Sequence, residues 1–448
     1  MFQLLLDCPV LLKVLASLGC ILLLNRAIKH LFLSVAAGAL LLGFWLGHSS
    51  QQIATIAWGR FASLDNALLL CVVMQVVWLS TQMAETGVMG DLVIAVQARI
   101  SQRSAMAVLP AVIGGLPMPA GAVFSAPMVD KCDEGGNVDP LHKAQVNYWF
   151  RHIWEYWWPL YPGVLVAMEI TGLEVWQFAL LQFPLSLVHV GAGVLFLLRR
   201  IEKRENSAYR GPSKPPLLGL VAPILVVIMS YAVLRLVSPV ISKVSERLPW
   251  GIGPVPDICQ ISKYLPMVVG ICLATLFLQR SRPLPWKSWR KILTAKRTFI
   301  LALLVAIIRV YGAFIEHDLP DGTPLVDLMR QELAQWGIPV VAMMMLIPFA
   351  SGITTGIAVG FVGASMPIAV SLLGPSPSVS SLMAATVLAY ACGYMGLMLS
   401  PVHLCLVVTS EHFQTRMSQS LKDLLRPAAL LVLGAVIYAL VLKALMVG

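Results

Sequence analysis

Apolar residues in this chain gather in long runs, without the two-residue alternation of a half-buried strand or the one-sided stripe of a soluble helix. Runs of about 20 residues, enough to cross ~30 Å of hydrocarbon as helix, fall at 7–25, 31–47, 65–85, 145–170, 174–199, 217–237, 264–279, 298–316, 380–412 and 427–446. Each predicts a spanning helix. The ~10-residue alternating segments of a membrane β-barrel are absent. Two of the runs carry late breaks, WWPLYPG at 157–163 and GYMGLMLSP at 393–401. Two further apolar segments, 104–129 and 338–374, are interrupted by Gly and Pro near their middles. The first contains LPAVIGGLPMPAGAVFSAPM and the second IPFASGITTGIAVGFVGASMP. Arms of about 10–12 residues rise ~15–18 Å, which reaches only the bilayer midplane. A turn at that depth needs Gly for unusual torsions and Pro to end helices. Both segments are therefore predicted to be re-entrant hairpins.

Charge sets the orientation. The 199–216 loop carries Arg199, Arg200, Lys203, Arg204, Arg210 and Lys214, and the 280–297 loop carries seven Lys and Arg with no acid. The 316–332 loop holds Glu316, Asp318, Asp321, Asp327 and Glu332 against Arg330 alone. The first two are expected in the cytoplasm and the third outside. Alternation then requires the first hairpin to enter and leave from the cytoplasm and the second from outside, with both termini outside. The predicted plan is a first repeat over 1–199, with its hairpin at 104–129, and a cytoplasmic linker over 200–216. A second, inverted repeat follows over 217–448, with its hairpin at 338–374. Residues 325–336 read as an amphipathic helix on the outer surface.

Composition agrees with this class. Of 448 residues, 58% are hydrophobic and 12% charged, about half the charge of a soluble domain. The net charge of +10 reflects loop topology, since no basic stretch sits in a soluble domain where nucleic acid would bind. The N-terminus lacks a basic n-region and reads as a first spanning helix, not as a signal peptide. Six of eight cysteines (Cys8, Cys20, Cys71, Cys272, Cys392 and Cys405) sit in apolar segments as small hydrophobes. No CxxC and no Cys/His group with zinc spacing occurs. His152 and Glu155 form an HxxE without a third ligand, so no metal or other cofactor is expected. No GxxxxGK[ST] occurs, so ATP is not expected to drive the protein.

The stretches LPMPAGAVFSAPMVD (116–130), NYWFRHIWEYWWPLYPG (147–163) and LSPVHLCLVVT (399–409) resemble an uncharacterised prokaryotic integral-membrane family of unknown function. That family is grouped in the ion transporter superfamily with divalent anion/sodium symporters and citrate, gluconate and C4-dicarboxylate carriers. The resemblance implies an all-α polytopic protein of the bacterial or archaeal cytoplasmic membrane, with two re-entrant hairpins in an inverted repeat. It also implies a scaffold that often dimerises and elevator-like movement of the hairpin-bearing part. The Ser-Asn-Thr tips of the divalent-anion branch are not present here.

Candidate chemistry lies at the tips and breaks. Pro117 and Gly121 lie in the first tip with Ser125 just after it, and Ser351, Thr354, Thr355 and Gly356 lie in the second. Helix ends there present unpaired N–H groups suited to an anion. Asn147, Arg151, His152 and Glu155 are the densest polar group within an apolar run, and intramembrane charge marks pathways. Arg151 suits a substrate carboxylate, with Asn147 and Ser400 beside it. His152, Glu155 and His403 are candidates for coupling to H+ or Na+. The competing reading makes Arg151–Glu155 a structural i,i+4 ion pair, with His152 in an interfacial belt of Trp149, Trp154, Trp157 and Trp158. His189, Arg309 and Lys13 read as packing or snorkelling residues. The expected function is a cation-coupled secondary transporter of a small organic anion, not an enzyme. The alternatives are a channel, or a membrane-embedded enzyme using His152 and Glu155. The expected partners are an anionic substrate, the lipid bilayer and a second copy of the chain.

Overall fold

The computed structural model describes residues 8–97, 99–115, 121–133, 135–202, 217–245 and 263–445. Pro117 and linker positions 203–216 lie outside the described residues. Among those residues the chain is helical throughout, with no strand. The helices in order are α1 (Val10–Ile28), α2 (Leu31–Trp45), α3 (Ser50–Phe61), α4 (Leu64–Glu85), α5 (Val88–Gln97), α6 (Gln102–Gly114), α7 (Ala122–Lys131), α8 (Pro140–Arg151), α9 (Pro162–Thr171) and α10 (Val175–Phe196). They continue as α11 (Leu217–Ser245), α12 (Leu265–Ser281), α13 (Trp286–Leu293), α14 (Lys296–Glu316), α15 (Leu325–Gln335), α16 (Val340–Thr355), α17 (Ala358–Ser371), α18 (Val379–Met398), α19 (Leu404–His412) and α20 (Met417–Leu445). Seven helical segments are long and apolar enough to cross a membrane, and α15 with α16 adds an eighth if that pair, bent by 107°, is one span. The protein is a multi-pass helical membrane protein.

The two Gly/Pro-interrupted segments each fold as two short helices in contact. In the first, α6 packs on α7, and in the second α16 packs on α17. Gly356 ends α16 at φ +63°, a left-handed conformation that a residue with a Cβ rarely adopts. The feet of each pair come together. Gln102, the first residue of α6, and Asp133, just after α7, line one cavity with Arg200 and Glu202. Asp133 is fixed there by N–H donors from Asn137 (3.0 Å) and Val138 (2.9 Å) and by Lys143. Burial opposes its ionisation, but Lys143 and the two amides outweigh it and hold the carboxyl below its usual range. Val340 and Gly374, the feet of the second pair, share another cavity with Arg330 and Lys443. The predicted helix before it is α15, which buries Leu325, Met329 and Leu333 on one stripe. Its Glu332 accepts from the amides of Val10 and Leu11, both at 2.7 Å, and so caps the start of α1 from outside the helix.

Sequence reading placed an unbroken helix from 145 up to a kink at 157–163. The structure corrects this: α8 ends at Arg151, residues 152–157 form turns, and α9 starts at Pro162. The early end is possible because side chains take up the carbonyls a helix would have used. Tyr394 donates to His152 O (2.8 Å), Tyr390 to Glu155 O (2.6 Å), and Ser186 to Ile153 O. Buried carbonyls need such partners. The Pro residues at 159 and 162 merely prevent resumption earlier. The second break overlaps the predicted stretch, with α18 ending at Met398 and α19 starting at Leu404.

Backbone-to-backbone packing holds the second hairpin on the second broken helix. A Cβ at Gly352 of α16 would lie 2.7 Å from Leu397 N, and one at Gly396 of α18 would lie 3.1 Å from Phe349 Cα. Small residues permit this approach. Gly396→Val is expected to cost about 1–3 kcal/mol by overpacking. A lowered melting temperature of the detergent-solubilised protein checks this, and an unchanged melt contradicts it.

Candidate functional site

Gly114 and Gly121, the junction of α16 with α17, and the two breaks touch each other in a ring. Gly121, the residue before α7, lies against the guanidinium of Arg151, the last residue of α8. A Cβ at Gly121 would sit 2.6 Å from Arg151 Cζ and 2.7 Å from Nη1. Tyr161, at the far side of the first break, donates to Gly114 O and ties the break to the first tip. Trp154 does the same through Ala111 O at 2.7 Å. At the start of α9, a Cβ on Gly163 would lie 2.8 Å from Ala358 Cβ, the first residue of α17. Gly356, the second tip, lies against Val402 and His403 of the second break, with 3.1 Å from its built Cβ to His403 N. The ring closes through Tyr148 and His403, 255 residues apart in the chain, with hydroxyl and Nδ1 at 2.9 Å.

The structure therefore brings together Gly121, Arg151, His152, Glu155, Gly356 and His403 of the sequence-predicted residues. Arg151 is 2% exposed. It lies at the start of α7, whose N-cap Gly121 offers no side-chain cap, so first-turn amides and a guanidinium converge on one place. Ser125 Oγ in the first turns of α7, Ser351 Oγ in α16, Asn147 Oδ1 and His152 Nε2 are buried with no hydrogen-bond partner among the described residues. Asn147 spends its amide on Thr409 Oγ1 (3.0 Å), which joins α8 to α19. The hydroxyls of Thr354 and Thr355 bond their own helix, to Ala350 O and Ser351 O, both at 2.8 Å. Ser400 donates to Ile353 O (2.6 Å), linking the second break to α16. These three hydroxyls have structural work at hand.

The expected helical i,i+4 pair of Arg151 with Glu155 does not form on a helix, because the helix ends between them. Glu155 Oε1 instead lies 3.8 Å from His152 Nε2. His152 is fully buried, and its Nδ1 bonds Tyr148 O at 2.6 Å. His189 proves to be a packing residue, held by Trp149 O (3.0 Å) and the Tyr156 hydroxyl (2.9 Å). Sequence reading missed the tyrosines that line the breaks, Tyr390 and Tyr394, and it missed Cys405. The signal for Cys405 was its place two residues after His403, directly behind the Ser-Pro break.

A cavity of about 960 Å³ lies elsewhere. Its lining includes Gln52, Arg60, Asp65, Glu169, Arg309 and Glu316. Glu169 is about 10 Å along α9 from Pro162, by helical rise. The charges of this cavity pair with each other: Arg60 with Glu316, and Arg309 with Glu169, which also holds Lys263 at 3.1 Å. The ring has polar atoms left over, and this difference makes the ring the candidate site.

The family described as "Protein of unknown function (DUF401)" matches residues 11–245 and 259–442. No curated protein matches the chain. Among solved structures, the chain is similar to the YdaH transporter of Alcanivorax borkumensis, at 12% identity and a TM-score of 0.54, with 89% of each chain covered. At that identity the likeness is one of fold.

Proposed function

Because the chain belongs to the DUF401 family, whose description assigns no activity, we propose a function from its site: secondary active transport of a small, carboxylate-like organic anion. The observation that carries this reading is the Arg151 guanidinium packed on Gly121, at the uncapped N-terminus of α7. A planar fork and a helix end aimed at one place suit a bidentate carboxylate. Ser125 and Ser351, one in each hairpin, supply hydroxyls with hydrogen bonds to give. The two helix pairs act as re-entrant hairpins of an inverted repeat, and the shared fold with a transporter supports this use of the scaffold. The cavity above Glu169 and Arg309 is then the outer vestibule. Movement of the hairpins against the remaining helices exposes the ring to either face in turn, driven by a proton or sodium gradient.

The test is transport by the purified protein in proteoliposomes, using carboxylates selected by thermal stabilisation. Saturable flux that rises with an imposed cation gradient is expected. Stabilisation by no carboxylate or sulfonate, with or without sodium, would remove the basis of the reading.

A further inference from the structure

Three side chains of the ring play no part in holding an anion. His152, His403 and Cys405 are buried, and one ligand atom from each lies within 4.8 Å of the other two. His152 comes from the first break, while His403 and Cys405 flank the start of α19 at the second. Hydrogen bonding fixes both imidazoles in the same tautomer. His152 Nδ1 faces Tyr148 O at 2.6 Å, and a carbonyl only accepts, so this nitrogen carries the proton. The Tyr148 hydroxyl donates to Met398 O (2.9 Å), so His403 Nδ1 donates in turn, to Tyr148 Oη at 2.9 Å, with Leu397 O at 3.3 Å. Each ring is left with its lone pair on Nε2. Carbonyl and hydroxyl acceptors behind Nδ1 orient metal-binding histidines in this way.

His152 Nε2 is buried without a hydrogen-bond partner among the described residues, and Glu155 Oε1 faces it at 3.8 Å. A lone pair and a carboxylate oxygen at that separation repel each other unless a proton or a metal cation lies between them. Two imidazole nitrogens and a thiolate are the donors of zinc-type ions, whereas magnesium and calcium take oxygen. We propose that His152, His403 and Cys405 bind one divalent transition-metal ion of the zinc class, with Glu155 as the fourth ligand. Tetrahedral bonds to nitrogen and sulfur draw the donor atoms to roughly 3.3–3.6 Å of each other, a contraction of up to about 1.5 Å from the present limit. Binding releases the Cys405 thiol proton to solvent. The ion fastens the break of the first half of the chain to the break of the second. This proposal goes beyond the anion reading and stands without it, since the metal is measured on protein alone.

The test is titration of the full-length, detergent-purified, chelator-stripped protein with cobalt(II), a coloured stand-in for zinc. A sulfur-to-cobalt charge-transfer band saturating at one equivalent is expected, and zinc should displace it. Cys405→Ser should abolish the band while Cys272→Ser keeps it, and His403→Gln should weaken binding at least tenfold. Size-exclusion profiles identify any variant that misfolds, and the wild-type result stands regardless. No band in the wild type, or a band that survives Cys405→Ser, overturns the site. In the first case His152 and Glu155 are bridged by a proton instead.

Discussion

Arg151→Gln is expected to abolish both ligand-induced thermal stabilisation and transport of every carboxylate that the wild-type protein moves. The argument rests on chemistry and place. Gln keeps polarity and most of the length but has neither the charge nor the five-donor fork that meets two carboxylate oxygens at once. A hydrogen bond to a charged group contributes about 1.5–3 kcal/mol, which alone lowers affinity by roughly tenfold to a hundredfold. The loss is larger where lipid and protein exclude the water that would otherwise compensate. Arg151→Lys separates charge from geometry: it retains the cation and should recover a minor part of the binding. Size-exclusion chromatography establishes that each variant is folded. Wild-type flux through folded Arg151→Gln protein contradicts the role given to this residue.

The second large effect concerns stability. Glu169 receives Arg309, Lys263 and the Tyr264 hydroxyl, and Arg309 also donates to Asn66 Oδ1 at 3.2 Å. Four segments of the chain meet at this carboxylate: α4, α9, α14 and the entry to α12. Side-chain exposure is 5% for Arg309 and 15% for Glu169, so solvent screens the pair weakly. Glu169→Gln removes the carboxylate that pairs with both Arg309 and Lys263 and leaves those two cations without it. Breaking a buried pair in this way costs about 3–5 kcal/mol. The thermal melt of the solubilised variant should fall well below wild type, and Glu169→Gln with Arg309→Met should recover part of the loss. Equal melting of wild type and the single variant contradicts the account of this cluster.

Arg309 also illustrates what a sequence conceals. On its helix it is a lone cation in an apolar run, and snorkelling is the natural expectation. Its partner lies 140 positions earlier in the chain, on α9. The same holds for the first break. Gly and Pro within apolar runs announce that helices stop, because those residues fail locally, and the ends of α6 and α16 and the second break were legible for that reason. The position of the first break was not, because Tyr390, Tyr394 and Ser186, from other helices, satisfy the carbonyls that let α8 end at Arg151. Cys405 read as a small hydrophobe among others. Its proximity to His152 is a product of tertiary packing and has no local signature. Gly121 and Arg151 were each singled out in the sequence, one as a tip and one as an intramembrane charge. That they touch is what the fold adds.

The account as a whole depends on two interrupted apolar segments that turn back toward the side they came from. Cysteines placed at Gln102 and Lys131, at the two feet of the first hairpin, test this in a cysteine-depleted background. A membrane-impermeant maleimide should label both from the cytoplasmic face, in inverted vesicles, and neither in intact cells. Labelling of the two positions from opposite faces would mean that the segment crosses the membrane, and the ring of tips and breaks would not be a transport site.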